Sequence, residues 1–457
     1  MSDKKYLKWY NKLGYGSGDI AGNVVYAFLT SFVMIFLTDT VGLNAGIIGT
    51  LMMFSKLFDG VTDIFFGSMI DKTKSKLGKA RPWMLYGYIG CAVMLIAIFA
   101  VPTSWGDISK YIYFFITYTL LNAVFFTANN IAYGALTALV TKNGSERVQL
   151  GSFRFVFSFG TSLLIQMITI GAVNGLGGDA SAWRTIAIIY AIIGLISNTL
   201  SVFSVKELPE DVLKDNNTTV KKEEKYSFKE AGKLLITNKY FLLICGVYIL
   251  TYIYSAMMGM GVYYTKYILG DANLFGTFSL AINIPMIIGL LATPIIVSKL
   301  NGMYKINVAG YIFSSVFRLL VLVAGYMGNI PLMLVFTALA SFGMSPLQGD
   351  INALIAACSD YTYKSKGRRI DGTMFSCTSL GVKIGGGIGT ALTGWLLAAG
   401  GYVENLATQS ASCVNMINFM YLWLPFIISV VIAFLLSRLN VEKANKELDE
   451  KATISAN

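Results

Sequence analysis

Twelve stretches of the chain are apolar for long enough to cross, as helices, a hydrocarbon layer about 30 Å thick. They lie near residues 17–38, 43–70, 83–102, 110–140, 150–175, 184–204, 237–265, 272–298, 306–327, 330–358, 371–399 and 415–438. In lipid a segment must satisfy its own backbone hydrogen bonds, which leaves helices or a closed barrel, and barrel strands would alternate apolar and polar residues with period two. An all-α membrane protein of twelve transmembrane helices is therefore expected, and 55% hydrophobic against 13% charged residues over 457 positions agrees with it. Its first partner is the lipid bilayer.

The opening "MSDKKYLKWYNKLGYG" is basic and polar and lacks the apolar core of a cleaved signal, so the N-terminus is expected to stay in the cytoplasm. Basic residues in short loops are retained on that side. With the N-terminus inside, cytoplasmic loops hold Lys72, Lys74, Lys76, Lys79 and Arg81, then Lys142 and Arg147, then Lys299 and Lys305, then Lys364, Lys366, Arg368 and Arg369. The opposite loops carry only Lys110, Arg184 and Lys266 near helix ends. An even number of helices returns the C-terminus to the cytoplasm, and the expected location is the cell (inner) membrane. The net charge of +11 follows from this loop bias, so it does not point to a nucleic-acid surface.

Cys91, Cys245, Cys358, Cys377 and Cys413 are scattered without metal-ligand spacing, and there is no histidine. Proton coupling would have to use carboxylates. An intramembrane enzyme would need a nucleophile or metal constellation that these residues do not supply. No Walker motif is present, and "GGGIG" at 385–389 lacks a strand–turn–helix setting, so it reads as helix packing.

The polar segment 205–239 divides the chain into six helices and six helices. The expected organisation is an N-terminal six-helix bundle at 1–204, a cytoplasmic linker at 205–236, a C-terminal six-helix bundle at 237–440 and a tail at 441–457. "FLTDTVGLNAGIIGT" at 36–50 resembles "YYTKYILGDANLFGT" at 263–277, with Thr38 against Thr265 and Gly49-Thr50 against Gly276-Thr277. That register supports two related bundles.

In "LFDGVTDIFFGSMIDKTKSKLGKARPWM", residues 57–84, Asp59 and Asp63 stand one helical turn apart, with Thr62 beside them. The repeat register sets Met286 and Leu290 opposite them, so the acids belong to the first half alone. An intramembrane Asp costs roughly 2.5–3.5 kcal/mol, and like charges at this spacing repel further. Lys56 offsets one charge. A proton or a bound monovalent cation would offset the second. A helix-packing pair of Lys56 with Asp59, leaving Asp63 to water, is the plainer alternative.

"GYGSGDIAGNVVY", "FLTDTVGL", "FDGVTDIFFGSMIDKTKSKLGKARPW", "NNIAYGALTALVT", "ERVQLGSFRF", "SDYTYKSKGRRIDGTMFS" and "GVKIGGGIGTALTGWLL" resemble the glycoside–pentoside–hexuronide:cation symporters, the melibiose-permease-like branch of the major facilitator superfamily. The likeness runs from about residue 12 to residue 440. It implies the major facilitator fold and uptake of a sugar or glycoside driven by Na⁺ or H⁺ through alternating access. It also implies a cation site at Asp59, Thr62, Asp63 and Thr127, the two acids holding Na⁺ if sodium is the coupling ion. The family lysine of helix 11 falls on Lys383. Two sugar-binding positions that are aspartates in melibiose permease fall on Asn23 and Asn130, a departure that bears on α-galactoside specificity, although amides still both donate and accept toward sugar hydroxyls.

Other polar residues carry two readings each. Asp19 suits a sugar contact or an interhelix hydrogen bond. Arg154, at the family's arginine position in helix 5, suits a sugar contact or an ion pair. Asp350 is a candidate cavity acid with Arg318 as its pair, and Phe126 and Trp395 are candidates for stacking on a sugar ring. "DKTKSKLGKARP" and "DYTYKSKGRRID" are expected to form an inner gate through Asp71, Lys79, Arg81, Asp360, Arg368, Arg369 and Asp371, or to serve only to hold the loops inside. No cofactor beyond the coupling ion is expected, and function as a monomer is. The competing functions are an uncoupled sugar facilitator or a major facilitator transporter for another small organic solute.

Overall fold

The computed structural model describes residues 5–209, 233, 235–300, 302–367, 381–404, 406 and 408–456. Helices account for nearly all of it. They are α1 (Trp9–Thr40), α2 (Ala45–Lys72), α3 (Arg81–Ile98), α4 (Asp107–Val140), α5 (Gly144–Gly175), α6 (Ala180–Ser204), α7 (Lys239–Tyr267), α8 (Leu274–Leu300), α9 (Tyr304–Tyr326), α10 (Ile330–Lys366) and α11 (Gly381–Ala399). A twelfth, α12, joins Ala411–Asn418, a wide turn at Phe419–Trp423 and Leu424–Arg438, and α13 (Val441–Ala456) follows it. Among the described residues, eleven helices are apolar and long enough to span a membrane. The exception within the first twelve is α2, which has the length but carries Lys56, Asp59 and Asp63.

The chain forms two compact units. The first is Met1–Thr219 with Thr265–Gly276 and Thr390–Cys413, and the second is Val220–Tyr264, Thr277–Gly389 and Val414–Asn457. This division differs from two contiguous halves because the end of α7 and the α11–α12 connection bond to the first unit, notably through Asp39.

Inside the first unit, apolar packing is pinned by polar contacts between helices, which lipid favours because a lone polar group has no water to turn to. Asn129 of α4 donates to the Met84 carbonyl at 2.8 Å and to Asn198 Oδ1 at 2.9 Å, while Asn198 of α6 donates to the same carbonyl at 3.0 Å. At the opposite end, Phe28, Phe99 and Trp183 stack, with Phe28 and Phe99 centroids 4.2 Å apart.

Helix starts are closed by carboxylates arriving from distant sequence. Glu207, just past α6, accepts the N–H groups of Lys79, Ala80 and Arg81 at 2.7, 2.9 and 3.0 Å, which are orphan donors at the start of α3. Gly78 makes room: its φ is +111°, and a Cβ there would lie 2.3 Å from the Glu207 carboxyl carbon. In the second unit Glu442, just past α12, accepts the N–H of Met303 at 3.0 Å and of Tyr304 at 2.9 Å at the start of α9. The two capped loops read "SKLGKARP" and "SKLNGMYK". One closure is thus built twice.

Glu146, at the α4–α5 corner, is 2% exposed and accepts from Tyr6 N, Leu7 N and Thr141 Oγ1. Burial alone would raise its pKa. Hydrogen bonds from Thr141, Leu7 and Tyr6, with Lys12 nearby, nevertheless hold it below the ordinary 4.5. A depressed carboxyl contributes stability that is present above 4.5 and is lost as pH falls through the lower folded value. The thermal midpoint of the wild type should therefore exceed that of Glu146→Gln at pH 7, with the gap closing as the pH is lowered past that range. A gap independent of pH would show that the ionised form adds nothing. Glu207→Ala should lower stability by about 2 kcal/mol, because three N–H groups lose their acceptor. Lys206→Ala is the control, expected within about 0.5 kcal/mol of wild type.

Candidate functional site

Asp59 is 8% exposed in the described structure, and Asp63 is half-buried one turn further along α2. Asp59 Oδ1 is hydrogen-bonded to Thr127 Oγ1 of α4. The placement of Thr127 follows from a wide turn at Leu120–Phe126, a π distortion of the kind that recurs at functional sites because it shifts side chains and loosens backbone bonds. Thr127 Oγ1 also lies 2.9 Å from the Asn122 carbonyl. A hydroxyl has one hydrogen, so only one of these two oxygens can accept it.

Thr62 spends its hydrogen on its own helix, reaching the Asp59 carbonyl at 3.1 Å, which leaves its lone pairs as donors to a cation. Lys56 lines a small cleft with Tyr26, Asn122 and Phe126. Among the described residues no cluster of three His, Cys, Asp or Glu side chains could hold a metal. Two carboxylates with hydroxyls form a hard, oxygen-only donor set. Such a set suits a monovalent ion or a proton.

A second cluster joins α1, α4 and α5. Arg154 Nε donates to Asp19 Oδ2 at 2.7 Å, and Tyr133 OH lies 2.9 Å from the same oxygen and 2.9 Å from the Tyr15 carbonyl, two acceptors for its one hydrogen. The Arg154 guanidinium lies 4.1 Å from the Tyr133 ring centroid. Asn23 donates to the Asp19 carbonyl at 2.9 Å and accepts from Ser162 of α5 at 3.0 Å. Its carbonyl and one amide hydrogen are thus occupied. Asn130 is exposed on α4, three residues from both Thr127 and Tyr133.

In the second unit Lys383 sits half-buried in a wide turn at Gly381–Gly385. The glycines flanking it press α11 onto α7: a Cβ on Gly381 would meet Tyr248 at 2.6 Å, and one on Gly385 the Ile249 carbonyl at 2.6 Å. Within the glycine run, Gly385 and Gly389 pack closely on α7, whereas a Cβ on Gly386 would meet nothing within 4 Å. Asp350 accepts from Asn307 Nδ2 at 3.0 and 2.9 Å and does not pair with Arg318, which instead lies over the Tyr254 ring. Asn307 and Arg318 are eleven positions apart on α9, about 16 Å at ~1.5 Å per residue, so one acid cannot serve both.

Trp395, in the first unit, donates its indole N–H to Thr50 at 2.8 Å. Arg81 is buried and donates to the Val202 carbonyl at the end of α6 at 2.7 Å and to the Leu77 carbonyl at 3.3 Å. Asp360 is half-buried near the end of α10. Arg368, Arg369 and Asp371 lie outside the described residues, as does the side chain of Asp71.

Sequence reasoning missed Asp39. Within the first unit its carboxylate accepts from Thr38 Oγ1 at 2.8 Å, from Tyr267 OH at 2.7 Å, and from Tyr402 OH and Lys266 Nζ. The signal was in the repeat, because Asp39 and Lys266 are separated by 227 residues, the register that sets Thr38 against Thr265. An acid in one repeat meets a base at the same position of the other.

A family profile described as MFS/sugar transport protein matches residues 14–443. The isoprimeverose transporter of Lactiplantibacillus pentosus is 29% identical over 93% of this chain and 87% of its own. An uncharacterized symporter of Bacillus subtilis (strain 168) is 28% identical, covering 90% of this chain and 88% of its own. Among solved structures, a bacterial homolog of the human lysosomal transporter Spinster superimposes with a TM-score of 0.70 at 12% identity, covering 98% of this chain and 99% of the other. That likeness concerns the fold.

Asp39→Ala should lower stability by about 2 kcal/mol, since several donors lose one acceptor. Lys266→Ala should cost less than about 1 kcal/mol because its partly exposed ion pair is screened. Equal shifts of the thermal midpoint would mean that the ion pair alone carries the cluster.

Proposed function

We propose, from the premise that this chain belongs to the MFS/sugar transport protein family, that it is a secondary symporter importing a sugar or glycoside together with Na⁺ or H⁺. The observation that carries the reading is the hydrogen bond between Asp59 of α2, one turn from Asp63, and Thr127 on α4, the helix that also presents Asn130 and Tyr133. Asp59, Asp63, Thr62 and Thr127 take the cation. Asn130 and the Asp19–Arg154 pair take the sugar hydroxyls, the ligand competing for Asp19 Oδ2 or bridging the pair. Asn23, already engaged with Asp19 and Ser162, positions more than it binds. The Asp39 cluster acts as a latch that breaks when access changes sides, with the N- and C-termini in the cytoplasm and the protein working as a monomer in the cell membrane.

The test is uptake by right-side-out vesicles under separate Na⁺ and H⁺ gradients, across a panel of glycosides, pentosides and hexuronides. Accumulation should require one of the gradients and vanish with an ionophore. Accumulation that survives collapse of both would sink the symport reading. Asp63→Asn should abolish uphill accumulation while counterflow exchange continues, and membrane insertion should be unharmed, because removing an intramembrane charge lowers the insertion cost. Asn130→Ala should weaken sugar binding about tenfold, and Asn23→Ala by less. The reverse order in a binding titration would move the sugar toward α1.

A further inference from the structure

Among the described residues of the second unit, one buried cation has no acid to answer it. Arg318 of α9 is 2% exposed, and its Nε and Nη2 have no hydrogen-bond partner. Arginine does not shed its proton, so the charge cannot be removed by titration. Asp350 is already held by Asn307, and among the described residues no carboxylate stands within ion-pair distance of Arg318.

The surroundings share a chemistry. The guanidinium lies 5.2 Å from the centroid of the Tyr254 ring on α7. Tyr311, Ser314 and Arg318 follow one another at i, i+3 and i+7 and so line one face of α9. The hydroxyls of Tyr254, Tyr311 and Ser314 are buried without partners. So is that of Ser341 on α10, two residues from Gly343, where a Cβ would meet the Gly310 carbonyl of α9 at 2.7 Å. Each hydroxyl has a hydrogen to give, and the guanidinium can only give. A lone positive charge ringed by unmet donors in a water-poor interior is strongly unfavourable unless an acceptor of negative charge joins it.

We propose that this cluster binds one small monovalent anion of the chloride class, held by Arg318 and Ser314 with the hydroxyls of Tyr254 and Tyr311. A single guanidinium balances a single charge, which disfavours sulfate or phosphate. Near-complete burial disfavours an organic carboxylate. A spherical ion accepts donors from α7 and α9 without a preferred plane and ties these helices together.

The experiment uses purified full-length protein at constant ionic strength with chloride exchanged for gluconate. The thermal midpoint should rise with chloride and saturate, radiolabelled chloride should be retained in a one-to-one ratio, and Arg318→Gln should lose both effects. If that variant does not fold, Ser314→Ala and Tyr311→Phe keep the charge and remove one donor each. Either should raise the chloride concentration of half effect about tenfold. An identical wild-type midpoint in chloride and gluconate with no retained label, as water alone at the site would give, overturns the proposal. So does a chloride response that persists in Arg318→Gln or is unchanged in both single-donor variants.

Discussion

Carboxylates inside a hydrocarbon layer set the terms for the first unit. Each costs roughly 2.5–3.5 kcal/mol to place at the centre of a spanning helix. That cost explains why α2 falls short of the apolarity of the eleven other spans, and why Thr127 must approach Asp59 through a distorted turn of α4. A regular helix through Leu120–Phe126 would rotate everything after it by a large fraction of a turn, carrying Thr127 off the acid and Asn130 and Tyr133 off their face. The distortion therefore serves both polar clusters.

The two repeats show three relations, two of them at positions matched by the 227-residue register, and each carries a different meaning. The carboxylate closures by Glu207 and Glu442 recur, as expected of a device every bundle needs to end its helices against water. Asp59 and Asp63 fall opposite Met286 and Leu290, so the paired acids belong to one half. Asp39 falls opposite Lys266 with inverted sign, the pattern that lets matched positions attract each other where copies of one position would repel.

Much of the fold was legible because lipid imposes a strong code: length and apolarity marked the helices, and the glycine run at 385–389 marked close packing at Gly385 and Gly389. The α2 acids stood out for the same reason, being costly where they are. Contacts made through space at long separation were not legible. Glu207 reaches α3 across more than a hundred residues, and nothing local distinguishes it from its acidic neighbours in "VKELPED". Pairing Asp350 with Arg318 failed because it matched opposite charges without an axial distance, whereas helix rise separates Arg318 from Asn307, which holds the acid.

Coupling of two solutes requires that binding one alter the free energy of binding the other, by the same amount in each direction. α4 supplies a short physical route for this. Thr127 touches the α2 acid, Asn130 is exposed one turn on, and Tyr133 lies 2.9 Å from the Asp19 carboxylate that also holds Arg154. In the proposed symport, a cation on Asp59 would compete with Thr127 for the carboxylate and leave the hydroxyl to the Asn122 carbonyl in the distorted turn. The proposed ion and sugar sites would thereby be linked through one helix, without either ligand touching the other.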